Sequence, residues 1–300
     1  MKPMRSVLFV PAHREGWAVK AMQKGADGVI IDLEDSVPTH LKAQARDVAA
    51  ATIRELAQSY PDRGVYVRLN SLDTGIAGDD LEKVAIAGCH GFALPKTFGS
   101  RDIIAFDALT THFERKNGVA EGTFEFVLNL ETAQAYADCE NMINASPRCA
   151  TLFAGTARDA DVSRSIGFEF SPDGQETLYL RSRAVLANRA AGKNHPLVGV
   201  WQDLNNLEGA WNFARQNRAL GYRGMVLIHP SHIEVANEVF TPSEQDVIFY
   251  RGMIEAFNEA EAKGLAALLY EGQHIDYAHI KTAREVVGLY EMLTASRNVA

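Results

Sequence analysis

Short apolar runs alternate along this chain with longer stretches whose apolar residues recur at helical spacing. The runs are SVLFV (6–10), GVIID (28–32), VYVRLN (65–70), GFALPK (91–96), FEFVLNLE (124–131), CATLFAG (149–155), PLVGVWQD (196–203) and GMVLIHP (224–230). Helices are predicted between them over about Trp17–Lys24, Thr39–Ser59, Asp79–Ala87, Arg101–Arg115, Thr132–Asn144, Glu176–Ala191, Leu207–Leu220 and Ser231–Val239, with a polar excursion before Glu176. Continuous apolar strands suit a parallel sheet covered on both faces. About eight strand–helix units suit an α/β TIM (β/α)8 barrel, here over residues 1–240. A doubly wound open sheet is the alternative, and the lack of a GxGxxG between the first strand and helix counts against it.

The pattern changes after Phe240. Thr241-Pro242-Ser243-Glu244 looks like a helix cap, and one long helix follows it. A short segment, LAALLYEGQHIDYAHI, leads to a last helix over about Lys281–Ser296. Residues 241–300 therefore read as a C-terminal helical extension that covers a barrel mouth or reaches a neighbouring subunit.

In a βα barrel the chemistry sits at the C-terminal ends of the strands. Those ends carry Glu34 and Asp35, Arg68 and Asn70, Lys96, Glu131, then Arg158, Asp159 and Asp161, then Asp203 and His229. The strand starts carry mostly Gly, Arg or Pro. Solvated turns would scatter charge over both ends, so DLED (32–35) reads as one wall of a shared polar site. Glu131 and a following Asp are hard oxygen ligands that suit Mg²⁺, which takes one or two carboxylates and keeps waters or substrate oxygens. Such an ion could hold a 2-keto acid and stabilise an enolate. Arg68 could clamp a carboxylate bidentately. Glu34 and Asp35 could bind metal-bound waters.

Each residue also has a structural reading. Glu131 could be a helix N-terminal charge, and Arg68 the partner of Glu34 or Asp35. Lys96 could be a surface residue, His229 a hydrogen-bonded structural histidine, and Asp203 a helix cap.

Composition narrows the partners. Formal net charge is −8, without a run of Lys or Arg. That argues against nucleic acid or an anionic membrane as the main partner. Three cysteines without CxxC spacing argue against a disulfide framework or zinc site. The apolar N-terminal run is too short for a membrane span and lacks a signal-peptide cleavage pattern, so a cytoplasmic location is expected.

RSVLFVPA, GADGVIIDLEDSV, KAQAR (42–46), VRLN, LPK, LNLETA, IHPSHIEVANEVFTPS and GQHIDYAHIKTARE run over nearly the whole length. Together they resemble the citrate lyase β-subunit-like CoA ester lyases of the HpcH/HpaI aldolase superfamily. The resemblance implies a TIM barrel and Mg²⁺-dependent, reversible cleavage of a 3-hydroxyacyl-CoA, such as malyl-, citramalyl- or citryl-CoA. The products would be an acyl-CoA and a 2-keto acid, with coenzyme A entering as part of the substrate. It places the metal carboxylate on Glu131, the keto-acid arginine on Arg68, and the acidic pair near the metal waters on Glu34 and Asp35. Lys96, Arg46 and His229 match further substrate-binding positions. Asp276 falls on an acid/base aspartate that a neighbouring subunit supplies in several relatives, which implies a homo-oligomer, a trimer or hexamer. Without the resemblance Asp276 reads as a capping or turn residue.

The chain departs from the pattern at several places. The family usually has its second metal Asp three residues after a Gly, but Arg158 stands there relative to Gly155. Counting back from Gly167 selects Asp161 instead, with Asp159 close by. Ala12 and Ser231 replace a common Gly and Gln, and His274 and Ala278 replace a usual Met and Pro around Asp276. Two other functions remain open: an aldolase acting on a free hydroxy acid without CoA, and a non-catalytic ligand-binding or assembly subunit on the same scaffold.

Overall fold

The structure, a computed structural model, describes residues 1–295 and divides into two compact units, Met1–Glu238 and the chain from Val239 onward. In the first, β1 (Ser6–Pro11), β2 (Gly28–Asp32), β3 (Gly64–Arg68), β4 (Gly91–Leu94), β5 (Glu125–Leu130), β6 (Cys149–Gly155), β7 (Leu197–Gly199) and β8 (Gly224–Leu227) form a closed barrel in chain order. Every neighbouring pair is parallel, and β1 pairs with β8 to close it. The helices between them are α1 (Trp17–Gln23), α2 (Lys42–Ser59), α3 (Ala77–Val84), α4 (Ser100–Lys116), α5 (Ala133–Asn144), α6 (Asp161–Ile166), α7 (Leu178–Ala190) and α8 (Leu207–Leu220), with α9 (Ile233–Val239) after β8.

The strands read as unbroken apolar runs because both faces are covered: all of β2 and β4 is buried. Inward side chains Val7, Ile30, Tyr66, Ala93, Val127, Phe153, Leu197 and Val226 fill the barrel, and burial of each Val, Ile, Leu or Phe contributes about 1.5–3 kcal/mol. Met4 joins this core near the strand starts. A Cβ at Gly28 or Gly64 would stand 2.7 or 2.3 Å from its Sδ, so glycine at these two strand starts makes room for the plug. The chain is therefore packed shut at one end, while the polar residues gather at the other.

The polar excursion after β6 contains a short helix, α6, that the sequence pattern does not single out. The run 196–203 forms only a three-residue strand; from Val200 onward it is loop. In the second unit, α10 (Glu244–Ala262) is capped by Ser243, whose side chain accepts from the Asp246 N–H at 3.0 Å. The segment expected only as a connector is an antiparallel hairpin, β9 (Ala267–Tyr270) and β10 (Gln273–Asp276). Its two turn residues, Glu271 and Gly272, both have positive φ (43° and 80°), as a tight hairpin turn of this kind requires. Helix α11 (Tyr277–Ala295) starts four residues earlier than expected, and Ser296, its expected end, lies outside the described residues, as do 297–300. Met253, Phe257, Ile275, Ile280 and Ala283 give this unit its own core. Among the described residues, no helix is long and apolar enough to cross a membrane.

Candidate active site

The C-terminal ends of β2 and β3 meet in register, with Asp32 opposite Arg68. The Arg68 guanidinium docks side-on against Asp32, Nε to Oδ1 and Nη2 to Oδ2, both at 2.7 Å. Its free Nη1 stands 3.0 Å from Glu34 Oε2 and 3.9 Å from Glu131 Oε1. The Phe9 ring lies 4.8 Å from the guanidinium carbon, a cation–π contact that closes one side. Burial works against the Arg68 charge, but Asp32, Glu34 and Glu131 outweigh it and lift its pKa above the usual arginine value. Burial would raise Asp32, and the charge and hydrogen bonds of Arg68 overcome this and hold it below the carboxylate range.

The DLED turn is folded by its own first residue. Asp32 accepts from the backbone N–H groups of Glu34 (2.9 Å) and Ser36 (3.2 Å). That turns the Glu34 side chain toward Lys96, whose Nζ lies 2.9 Å from Glu34 Oε1, 2.8 Å from Asp35 Oδ1 and 3.8 Å from Asp161 Oδ2. Lys96 follows Pro95 in a left-handed backbone conformation (φ 48°). There its N–H donates to Glu131 Oε2 at 3.1 Å. Burial lowers the Lys96 pKa, and hydrogen bonds to Asp35 and Glu34 more than reverse it, so the ammonium stays charged. Glu34 is pushed up to about 7, chiefly by burial; Arg68 pulls it down and Glu131 pushes it up.

Glu131 stands between the last residue of β5 and Thr132, whose hydroxyl caps α5 by accepting from the Ala135 N–H at 3.0 Å. The cap fixes where the strand stops and aims Glu131 into the barrel mouth. Asp161 is the first residue of α6, and Arg164 one turn on is its ion-pair partner. Arg68, Glu131, Asp161, Asp32 and Asp35 line one cavity of about 310 Å³, with Phe9, Phe153, Val200 and Ile228 supplying its apolar part.

The residues present fit a divalent cation. Burial, and further the charge of Asp161, raise the pKa of Glu131 against the pull of Arg68 and the Lys96 N–H. A hard cation beside Glu131 would relieve the cost of its charge. Among the described residues no three His, Cys, Asp or Glu side chains form a ready cage. Mg²⁺ needs only one or two protein carboxylates, with waters and substrate oxygens completing its shell.

The sequence-derived residues divide. Glu34, Asp35, Arg68, Lys96, Glu131 and Asp161 come together. Asp159 is exposed with φ 53°, so of the two candidates it is Asp161 that reaches the cavity. Arg46 is held behind the DLED turn, its Nε 2.7 Å from the buried Asp80 Oδ1, and does not line the cavity. His229 is one residue beyond the cavity-lining Ile228, and its Nδ1 meets Ser231 Oγ at 2.8 Å within a short 3-10 turn. Asp203 accepts from the Asn205 N–H in a turn at 3.1 Å, while Asn206 caps α8. Asp276 ends β10 in the second unit, where it pairs with His279 Nδ1 at 2.7 Å; that hydrogen bond, then one from the Ala278 N–H, lowers its pKa. In the sequence Asp32 reads only as part of the DLED wall, with no role of its own, and Phe9 is not singled out. The register of a parallel pair is the signal that places Asp32 beside Arg68.

Comparison with known proteins gives the family. The family model HpcH/HpaI aldolase/citrate lyase matches residues 5–230. The (3S)-malyl-CoA thioesterase of Cereibacter sphaeroides is 32% identical over 295 residues, covering 98% of this chain and 97% of that protein. The L-malyl-CoA/β-methylmalyl-CoA lyase of the same species is 33% identical over 321 residues, covering 98% and 96%. The crystal structure of CitE from Mycobacterium tuberculosis, in complex with magnesium, acetoacetate and coenzyme A, superposes with a TM-score of 0.73 at 26% identity, covering 96% and 98%. Barrel topology, the acidic and basic strand ends and a match across most of the chain agree: this protein belongs to the HpcH/HpaI aldolase/citrate lyase family.

Proposed function

We propose that this protein is a Mg²⁺-dependent carbon–carbon lyase that cleaves, or forms, a 3-hydroxyacyl-CoA to give an acyl-CoA and a 2-keto acid. The observation that carries the reading is the shared cavity lined by Glu131, Asp161 and Arg68, with Glu131 Oε1 3.9 Å from Arg68 Nη1. Kinship with a malyl-CoA lyase and with a CitE solved with magnesium and coenzyme A supports it. Glu131 and Asp161 would hold the ion, which when bound supplies a Lewis acid for the keto oxygen. Arg68, already oriented by Asp32, would use the outward edge of Nη1 for the keto-acid carboxylate. Glu34, Asp35 and Lys96 would fix the waters and the turn around it.

In the cleavage direction a base takes the proton of the substrate hydroxyl, the oxygen lone pair forms the keto C=O, and the adjacent carbon–carbon bond breaks. Its electron pair passes to the carbon beside the thioester, and that carbon takes a proton from an acid to give the acyl-CoA. Asp276, supplied by a neighbouring subunit of a trimer or hexamer, would be that acid, and the base in the reverse direction. Arg46 and His229 would act from behind and beside the cavity. The setting proposed is the cytoplasm.

The test is a mass-spectrometric screen of acetyl-CoA or propionyl-CoA with glyoxylate, pyruvate or oxaloacetate, with and without Mg²⁺. A Mg²⁺-dependent CoA adduct is expected; no adduct from any pair would sink the reading. The relation to a malyl-CoA thioesterase supports a second activity, hydrolysis of the thioester. Free thiol released from malyl-CoA without any keto acid product would identify it.

A further inference from the structure

The KAQAR stretch at the start of α2 is not accounted for by the cavity. Lys42, its first residue, carries a cation on the first turn of a helix, where the helix dipole disfavours it. Its position is explained by what it holds. An ammonium has three donors, and Lys42 Nζ lies at hydrogen-bond distance from three oxygens: Leu33 O (2.8 Å), Glu34 O (2.9 Å) and Asn70 Oδ1 (2.6 Å). Two of these are the carbonyls of the DLED turn itself.

The third is tied to a buried chain of partners. Asn70 Nδ2 donates to Leu33 O at 3.1 Å and to Asp80 Oδ2 at 2.7 Å, and its backbone N–H donates to the same Asp80 oxygen at 2.7 Å. Asp80, fully buried, takes Arg46 on its other oxygen. The turn is thus gripped from two sides. Asp32 closes it through its N–H groups, and Lys42 closes it through its carbonyls, backed by Asn70, Asp80 and Arg46.

We propose that Lys42 is a positioning residue: by fixing the Leu33 and Glu34 carbonyls it sets the Glu34 carboxylate between Arg68 and Lys96. This rests on the lyase reading of the cavity. Lys96 approaches Asp161 to 3.8 Å and is kept from it by Glu34 and Asp35. When the turn loosens and Glu34 swings away, Lys96 is free to close on Asp161 Oδ2, whose other oxygen already holds Arg164, and to compete with a metal ion there. Loss of Lys42 should therefore reach the metal as well as the substrate, although Lys42 touches neither.

The experiment compares Lys42→Met, of similar length without donors, with Lys42→Cys alkylated by 2-bromoethylamine, which restores an ammonium at nearly the same reach. The thiolate displaces bromide, and the three native cysteines are buried. Three quantities are read: kcat and KM in the Mg²⁺-dependent condensation, Mn²⁺ affinity by electron paramagnetic resonance, and Tm. Lys42→Met is expected to lose about tenfold or more in kcat, as misplaced groups cost, and several-fold in Mn²⁺ affinity, with KM for the acyl-CoA little changed. The aminoethylated variant should recover both. Unchanged Mn²⁺ affinity and kcat, or a fall in Tm alone, would overturn the proposal. If the wild type turns over no substrate pair, the lyase reading fails, and the Mn²⁺ affinities still decide the role of Lys42.

Discussion

Arg68 and Asp32 are opposite residues of adjacent parallel strands and form a two-point ion pair with both contacts at 2.7 Å. Both side chains are nearly buried, at 12% and 2% exposure. Asp32 is therefore what aims Arg68, and the substrate would meet only the guanidinium edge that Asp32 leaves free. Removing Asp32 takes the two-point partner from a guanidinium that keeps Glu34 at 3.0 Å and Glu131 at 3.9 Å. Asp32→Asn is predicted to cost about 1.5–3 kcal/mol in urea unfolding, the range for hydrogen bonds to charged groups, and to lower turnover through a misaimed Arg68. A loss under about 1 kcal/mol, the range of an exposed pair, would show that solvent reaches Arg68 freely.

Glu131→Gln tests the metal assignment. The amide keeps the shape and can still accept from the Lys96 N–H, but it lacks the charge. Mn²⁺ affinity is expected to fall at least tenfold, with Mg²⁺-dependent turnover abolished. Because burial and the neighbouring Asp161 make the Glu131 charge costly, the metal-free variant should be as stable as the wild type or more so. Full activity in this variant would remove Glu131 from the site.

Much of this was legible in the sequence, for physical reasons. Strands buried on both faces leave unbroken apolar runs, so all eight barrel strands could be read, and the charges ending them marked the polar mouth that carries the candidate site. The misses share a different cause. The β9–β10 hairpin is half-exposed and turns at Glu271-Gly272, without the Asn-Gly or Asp-Gly that signals such turns. Helix α6 is too short to show a period. Asp32 was hidden by its neighbours: which carboxylate of DLED faces Arg68 is set by strand register, which only pairing reveals. Arg46 was recognisable as a motif residue, but its buried partner Asp80 lies 34 positions away.

Lys96 Nζ holds Glu34 and Asp35 and stands 3.8 Å from Asp161, so its removal should divide metal binding from catalysis. Lys96→Met frees Glu34 and Asp35 and removes the second cation beside Asp161, leaving Arg164 in place. Mn²⁺ affinity is predicted to rise, while kcat falls by about tenfold or more as Glu34 loses its anchor. Combining it with Lys42→Met should erase the loss of metal affinity expected of Lys42→Met alone. If Lys96→Met binds Mn²⁺ more weakly, Lys96 supports the metal site and does not compete with it.

The opposite end of the barrel contains a pH sensor of stability that is independent of the metal. His195 precedes β7, its carbonyl accepts from Thr151 Oγ1 at 3.0 Å, and its buried Nδ1 has no hydrogen-bond partner. Burial first, then the positive N-terminus, Arg189 and Arg223, depress its pKa to about 4. An unfolded chain would protonate this ring near pH ~6.5. Between those values the unfolded state binds the extra proton and the folded state does not, so stability falls as pH drops through that window. His90 adds to the trend, since burial lowers its pKa too. Glu34, raised to about 7, works the other way, so only a comparison of variants isolates His195. In EDTA, the wild type should lose urea stability relative to His195→Leu as pH is lowered from 7 to 4.5. The difference between the two proteins should change most steeply near pH ~5.3, between the two pKa values, where the unfolded ring is largely protonated and the folded one is not. Parallel curves for the two proteins would mean that His195 takes up its proton equally in both states, and that the ring is solvated in the folded protein.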